Sequence, residues 1–206
     1  MDGAKWNRKP AEQDIASTIK AVEARGINVS RVRDGLGALE RIREIIPPGA
    51  EVMNGSSTTL IEIGYQELMD SGLQKWSDLH KMVFYEEDAR KRSEMRRKSL
   101  AAEYFLSGVN AIAMTGELLG CDATGSRVGA WPFAAKNLVM ISGVNKIVPT
   151  LQDAMQRVFE YVYPLEDARS KKVNGMPSQI GKCVIIANER QTGRINLILV
   201  DETLGY

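Results

Sequence analysis

Hydrophobic positions along the chain follow two patterns, short continuous apolar runs and longer stretches in which one side of a helix is apolar. The first long stretch puts Ile15, Ile19 and Val22 on one helical face and stops at Gly26, a residue type expected at a helix C-cap. The run INVSRV follows directly and predicts a strand. Strand and helix patterns then alternate along the rest of the chain.

The predicted helices cover residues 11–26, 36–46, 57–73, 87–106 and 151–162. The predicted strands cover residues 27–32, 50–55, 81–86, 109–114, 117–124, 136–143 and 194–202. Such alternation is typical of crossover units, so the predicted fold class is α/β, with helices packed on a mostly parallel sheet. The short junction MTGE, residues 114–117, is the exception and predicts a local hairpin.

Composition indicates one globular domain. With 206 residues, 44% of them hydrophobic and 26% charged, the chain has enough apolar material for a sizeable core. No linker-like stretch divides it. We therefore predict a single domain over residues 1–206, with residues 1–12 as a flexible N-terminus.

The charge balance and the apolar segments narrow the classes of partner. Lys and Arg number 27 against 26 Asp and Glu, so no bulk field draws the chain to nucleic acid or to an acidic membrane. The start lacks a signal-peptide core, and no apolar run reaches the roughly 20 residues that span a bilayer, which favours a cytoplasmic protein. Cys121 and Cys183 form no metal-ligand motif and are expected to be free thiols, so we predict neither a metal nor a bound cofactor.

A run of small hydroxyl residues, NGSSTT, lies where the predicted strand over residues 50–55 gives way to a helix. Backbone N–H groups at the start of a helix are unpaired and the helix dipole is positive there, so this junction can hold an anion. The residues predicted to bind it are Asn54, Gly55, Ser56, Ser57, Thr58 and Thr59. The alternative is that Ser56 or Ser57 only caps the helix, which needs one hydroxyl and no ligand.

A second polar segment, TGELLGCDATGSRVG, interleaves charged and hydroxyl residues with glycines. Arg127 is suited to binding a carboxylate or phosphate through paired hydrogen bonds, with Thr124 and Gly125 beside it. Glu117 and Asp122 are the candidate acid or base groups. Turn chemistry alone is the alternative explanation for Asp and Gly in this segment.

Further polar residues follow apolar runs or form charged stretches. Asn145 and Lys146 come directly after NLVMIS, where Lys146 either neutralises a ligand, with Asn145 as a second donor, or is a solvated loop lysine. His80, the single histidine, is expected to be an ordinary loop residue.

The stretch EEDARKRSEMRRK pairs opposite charges at i,i+4, which favours a solvated, self-paired helix face. The apolar segment WPF, residues 131–133, suits a core, a pocket wall or a contact in a homo-oligomer.

One long segment, residues 104–158, is YFLSGVNAIAMTGELLGCDATGSRVGAWPFAAKNLVMISGVNKIVPTLQDAMQRV. It resembles the core of a known family, the LUD domain of lactate-utilization protein C. GAEVMNGSSTTLIEIG resembles the upstream strand, loop and helix of that family, and PLEDAR and GRINLILVDETLGY resemble the segments that follow. The resemblance runs from about residue 39 to residue 206, and TGELLxxDxTGxR followed by SGVNKIVP carries it most specifically.

The resemblance implies a three-layer α/β/α fold similar to that of ribose-5-phosphate isomerase, glucosamine-6-phosphate deaminase and CoA transferases. It also implies a bacterial or archaeal protein, in some cases encoded with iron–sulfur subunits that oxidise lactate to pyruvate. In the phosphosugar relatives a glycine- and hydroxyl-rich loop after an early strand holds the phosphate, and NGSSTT occupies a similar place. The family has no established catalytic residues to carry over. This chain keeps Cys183 but lacks the further cysteines that many short members carry.

Two functional hypotheses follow. The first is a metabolic protein of lactate-utilization type that binds a small carboxylated or phosphorylated anion at the carboxyl edge of the sheet and transfers a proton on it. The second is a noncatalytic subunit or binding module of an iron–sulfur lactate-oxidising complex. The sequence leaves open whether the chain is an enzyme and whether it forms a homo-oligomer.

Overall fold

The computed structural model describes residues 3–206, which form a mixed α/β fold. The strands are β1 (Asn28–Val32), β2 (Glu51–Asn54), β3 (Ser77–Asp78), β4 (Tyr104–Gly108), β5 (Ala111–Ala113), β6 (Leu118–Asp122), β7 (Asn137–Gly143), β8 (Ile147–Val148), β9 (Lys182–Ile186) and β10 (Ile195–Val200). The helices are α1 (Gly3–Trp6), α2 (Glu12–Glu23), α3 (Gly35–Ile45), α4 (Thr58–Glu62), α5 (Tyr65–Asp70), α6 (Leu79–Phe84), α7 (Ala89–Lys98), α8 (Leu151–Arg157) and α9 (Tyr163–Asn174). A π-helical turn, Val158–Val162, joins α8 to α9.

The main sheet has six strands in the order β1-β10-β7-β4-β2-β3, and each neighbouring pair is parallel. Its central strand β7 is buried on both faces, because Leu138 and Met140 point to one layer while Val139 and Ile141 point to the other. Burial on both faces explains why this strand reads as a continuous apolar run. Helices α3, α4 and α5 pack on one face. The predicted α/β class with a mostly parallel sheet is therefore confirmed.

A second, four-stranded sheet in the order β8-β5-β6-β9 packs with α2 on the other face of the main sheet. Strands β5 and β6 are antiparallel, which confirms the predicted hairpin. The far side of this small sheet packs against α8 and the π-helical turn through side chains that include Leu119, Ala154 and Val158. The small sheet is thus an additional layer beside the helix, sheet and helix layers that the family resemblance implies.

Two predicted elements were wrong in type. Residues 81–86, predicted as a strand, lie mostly in α6, which Asp78 caps by accepting a hydrogen bond of 2.9 Å from the Lys81 N–H. The predicted helix over residues 87–106 ends with α7, and its apolar part is the buried strand β4. An apolar run of this length fits a buried helix or a buried strand equally well, so periodicity alone could not distinguish them.

Two helix boundaries also differ. The predicted helix over residues 57–73 is divided into α4 and α5 at Gly64, whose φ of 80° lies in the left-handed region. The helix predicted over residues 151–162 continues through the π-helical turn to the end of α9. Strand β9 was not predicted, because its outer residues are exposed and show no clear alternation.

The expectation of two free thiols is corrected by the structure. Cys121 on β6 lies directly opposite Cys183 on the antiparallel neighbour β9, with Cα atoms 4.2 Å apart, and the two form a disulfide. They are 62 residues apart in sequence, so spacing could not reveal the pair.

Part of the segment predicted to be flexible packs against the domain. Trp6 is only 3% exposed, and its backbone carbonyl accepts a hydrogen bond of 3.0 Å from Arg157 Nε. Residues 1–2 of that segment lie outside the described residues. Over residues 3–206, no helix is both long and apolar enough to cross a membrane.

Candidate functional site

A cleft of about 820 Å³ opens at the carboxyl edge of the main sheet. The segments that follow β2, β4 and β7 form its floor, because the carboxyl ends of parallel strands meet at one edge. The segment after β6, helices α6 and α7, and helix α9 supply its walls. Most of the residues predicted to bind a ligand therefore come together here.

Lys146 lies at the floor of the cleft and is only 3% exposed. Its Nζ donates hydrogen bonds of 2.8 Å to Thr59 Oγ1 and 3.0 Å to the Val109 carbonyl. No described carboxylate lies within 4.0 Å of this ammonium group. Burial is the main reason that the pKa of Lys146 is lowered to about 7, and the nearby charges of Arg157 and Arg127 contribute to the same shift. The side chain can therefore gain or lose a proton near neutral pH.

Residues 54–59, which include the hydroxyl run, all line the same cleft as Lys146. Ser57 Oγ accepts a hydrogen bond of 3.3 Å from the Leu60 N–H, so the capping interpretation holds for this residue. Thr59 is 1% exposed and is the partner of Lys146. Capping accounts for one hydroxyl of the run, and the hydroxyls of Thr59 and Thr58 interact with Lys146 and Tyr206.

Arg127 lines the cleft, but it uses most of its donors within the protein. Its Nη1 donates to the Gly108 carbonyl at 2.6 Å, and its Nη2 donates to Asn110 Oδ1 at 2.8 Å and to the Cys121 carbonyl at 2.5 Å. Gly55 allows this position, because a Cβ there would lie 2.5 Å from Arg127 Cγ. All three acceptors are uncharged, so the positive charge of Arg127 is not cancelled by an ion pair.

Asp122 also lines the cleft, yet its carboxylate closes the loop over residues 122–128. It accepts hydrogen bonds from the N–H groups of Gly125, Arg127 and Val128, the last two at 2.9 and 3.2 Å. Burial raises the pKa of Asp122, but these backbone donors outweigh burial and leave the pKa below its usual value. Thr124 lines the cleft beside this loop, whereas Gly125 shapes the loop with a φ of 89°.

Besides Gly125, two predicted site residues, Glu117 and Asn145, lie away from the cleft lining. Glu117, in the hairpin between β5 and β6, binds Arg25 Nη2 at 2.5 Å and accepts a hydrogen bond from Thr115. Asn145 is buried, and its side chain binds Asn7 at 2.6 Å and the Leu204 N–H at 3.1 Å. Both side chains therefore hold other segments of the chain in place.

The structure adds cleft residues that received no site role from the sequence. Glu166 on α9 binds Arg169 through two hydrogen bonds of 2.7 Å and accepts a hydrogen bond from the Tyr206 hydroxyl. Burial raises the pKa of Glu166, but the bonds from Arg169 and Tyr206 outweigh it and lower the pKa overall. Glu166 lies in PLEDAR and Tyr206 in GRINLILVDETLGY, two segments that carry the family resemblance. That resemblance was the sequence signal that could have pointed to these residues.

The charged helix face is also corrected. The face is partly self-paired, with Arg90 and Glu94 at i,i+4 and 3.7 Å apart, while Lys91 pairs with Glu86, five residues away, at 2.6 Å. Arg92 and Arg96 face the cleft, and neither has a described carboxylate within 4.0 Å.

The lining of the cleft is electropositive. Of the described lining residues, five are Lys or Arg, two are Asp or Glu, and one is His80, which lies in α6 and not in the loop that the sequence predicted. The basic residues are Arg92, Arg96, Arg127, Lys146 and Arg169, and the acidic ones are Asp122 and Glu166. Fixed positive charge in a concave site attracts anions. Across residues 3–206, no group of three or more His, Cys, Asp or Glu side chains is placed to hold a metal ion.

Comparison with known proteins gives one family and several similar structures. A family model described as the LUD domain matches residues 15–204. A DUF162 family protein from Deinococcus radiodurans is similar over 93% of this chain and 99% of its own, with 11% identity and a TM-score of 0.52. A search of curated proteins finds no significant match.

Two other solved structures are similar over smaller parts. eIF2B delta from Chaetomium thermophilum matches 68% of this chain and 53% of its own, with 13% identity and a TM-score of 0.37. Ribose 5-phosphate isomerase from Plasmodium falciparum matches 66% of this chain and 54% of its own, with 12% identity and a TM-score of 0.30.

Proposed function

The chain belongs to the LUD domain family, and on this premise we propose that it binds a small carboxylated or phosphorylated metabolite in the cleft at the carboxyl edge of the main sheet. The observation that carries the proposal is the buried amine of Lys146, which lies at the floor of the cleft without a carboxylate partner among the described residues. A buried ammonium group with only neutral partners is costly, and a bound anion would relieve that cost.

The surroundings of Lys146 support the same conclusion. The hydroxyl run supplies neutral donors that can bind the oxygens of an anion without adding charge, and Arg127 adds a fixed positive charge nearby. The lining as a whole has more basic than acidic groups. A carboxylate or phosphate group of the ligand would therefore lie against Lys146 and the segment over residues 54–59.

Proton transfer on the bound metabolite is the reaction that these side chains serve best. A lysine with a pKa of about 7 is present in both protonation states at neutral pH and can act as a general acid or base. Lys146 takes this role in preference to Glu117, which lies outside the cleft lining, and to Asp122, whose carboxylate is occupied by backbone donors. Involvement in lactate utilization, which the family resemblance implies, remains part of this proposal.

A thermal-shift screen tests the proposal. The panel is lactate, pyruvate, inorganic phosphate and ribose 5-phosphate at about pH 6, against chloride at matched ionic strength. A compound at 100 times its dissociation constant adds about 2.7 kcal/mol, which for a chain of this size raises the Tm by about 5–10 °C. We expect at least one compound to stabilise the wild type, and Lys146→Met to lose that shift.

The matched control for this screen is Lys98→Met, which removes a lysine from the exposed part of α7 outside the cleft lining. It should retain the full shift. If none of the compounds stabilises the wild type, or if Lys146→Met responds as the wild type does, the proposed anion site is wrong. A pull-down that then retains iron–sulfur subunits would favour the binding-module hypothesis.

A further inference from the structure

The outer wall of the cleft carries a second set of basic groups. On α7 the side chains that line the cleft are Ala89, Arg92, Ser93 and Arg96, which share one helical face. Arg96 Nη2 donates a hydrogen bond of 2.7 Å to Ser126 Oγ, which joins this face to the loop over residues 122–128. Arg92 donates to the Glu86 carbonyl at 3.0 Å. Both arginines keep unneutralised charge at the opening of the cleft, away from the buried amine.

Exposed apolar side chains also line the cleft. Phe84, at the end of α6, is 68% exposed, and Ile61 on α4 is 66% exposed, yet both line the cleft together with Val83. The Phe84 ring meets Tyr85 edge to face, with centroids 5.3 Å apart, and remains largely exposed. An exposed ring near basic groups is a suitable surface for a flat ring, because stacking removes apolar surface from water. The outer wall thus combines a stacking surface with donors for phosphate.

The size of the cleft exceeds what a small acid needs. Its volume of about 820 Å³ lies within the range of pockets that enclose ligands of drug size, roughly 300–1,000 Å³. A three-carbon acid bound to Lys146 would leave most of this space unfilled. The remaining volume extends toward α6 and α7, where the basic and apolar groups of the outer wall lie.

We propose that the metabolite is a nucleoside diphosphate or a larger compound that contains one. Its base stacks on Phe84, its phosphates bind Arg92 and Arg96, and its far end reaches the floor at Lys146. Arginine suits phosphate because its planar group donates two hydrogen bonds at once. This inference rests on the proposed function, since it uses the same cleft and extends the ligand from the floor to the outer wall.

Calorimetric titration of the full chain with adenosine 5′-diphosphate and with ribose 5-phosphate tests the inference. We expect the diphosphate to bind at least about tenfold more tightly, because stacking of one base is worth about a factor of ten. Phe84→Ala should weaken the diphosphate about tenfold and leave ribose 5-phosphate unchanged. The double variant Arg92→Met, Arg96→Met should weaken the diphosphate by a further factor of about ten or more.

Two control variants separate specific effects from general ones. Phe133→Ala removes a phenylalanine that is 90% exposed and lies outside the cleft lining, and Arg97→Met removes an exposed arginine from α7 that also lies outside it. Both should bind the diphosphate like the wild type. Unchanged affinity in Phe84→Ala and in the double variant would mean that the diphosphate binds elsewhere, which would overturn the inference.

The two proposals fail in different ways. If ribose 5-phosphate and the diphosphate bind equally well, the nucleotide inference is wrong and the anion site at Lys146 stands. If neither compound binds, and the panel of small anions also has no effect, both proposals are wrong.

Discussion

Arg127→Met should lower the free energy of unfolding by about 3 kcal/mol, although the side chain lies in a cleft that is open to solvent. The substitution removes three hydrogen bonds of 2.5–2.8 Å, to the Gly108 carbonyl, Asn110 Oδ1 and the Cys121 carbonyl. The first two acceptors keep one other donor each, Ser107 Oγ and the Cys121 N–H. A hydrogen bond to a charged group contributes about 1.5–3 kcal/mol, and the remaining donors and water in the cleft recover part of the loss. Urea denaturation followed by circular dichroism measures the change.

The matched variant for this experiment is Arg97→Met, the same substitution at an exposed position of α7. Its stability should stay within about 0.5 kcal/mol of the wild type. A loss of less than about 1 kcal/mol in Arg127→Met would show that the three acceptors do not depend on Arg127. The residue would then be free for a ligand, as its sequence motif alone suggests.

Trp131→Ala should lower the free energy of unfolding by more, about 3–5 kcal/mol, which is typical of replacing a fully buried tryptophan by alanine. The ring is 0% exposed, its Nε1 donates a hydrogen bond of 3.0 Å to Ser107 Oγ, and it packs where Gly120 has no side chain. The Arg127 guanidinium lies over the ring, 5.7 Å from its centroid. The substitution therefore removes core packing and one support of the cleft wall together.

The same urea denaturation measures this loss, with Phe133→Ala as the control two residues along the chain. Phe133 is 90% exposed, so its removal should change the stability by about 0.5 kcal/mol or less. Equal, small losses in both variants would contradict the assignment of Trp131 to the core. The sequence left three roles possible for this segment, namely core, pocket wall or oligomer contact. The structure buries Trp131 in the core and leaves Phe133 exposed.

The parallel sheet could be predicted because its central strands carry local signals. β7 and β10 are continuous apolar runs next to polar turns, and they lie where the sequence predicted strands. The hairpin between β5 and β6 was marked by a short junction with Gly116, whose φ of 100° suits a turn. β4 was missed because its apolar run follows a charged helix without a break that the sequence makes visible.

The site could be predicted only where neighbouring residues supply it. NGSSTT lies after one strand, so its place at the sheet edge followed from the order of elements. The partnership of Lys146 with Thr59 spans 87 residues, and that of Glu166 with Tyr206 spans 40. The fold alone brings such residues together. The sequence likewise does not show that α7 borders the cleft, so Arg92 and Arg96 were interpreted as part of a self-paired helix face. Asp122 and Glu117 were chosen for their chemistry, but the structure gives their oxygens partners within the protein.

The pKa of Lys146 makes the central claim testable through pH. With a pKa of about 7, the side chain is protonated below that pH and neutral above it, so an anion at the floor of the cleft should bind more weakly as the pH rises. Sulfate is a suitable probe because its charge is constant over the range from about pH 6 to about pH 8.5. Its effect on the protein therefore reports the charge of the site alone.

The most direct measurement is an NMR titration of the protein with sulfate at those two pH values, at constant ionic strength. The account predicts saturable shifts of the backbone amides in the segment over residues 54–59, and a Kd at least about tenfold higher at the upper pH. Lys146→Met should show no saturable shift in this segment at either pH. Equal affinity at both pH values, or the same titration in Lys146→Met, would contradict the claim that Lys146 holds an anion in this cleft.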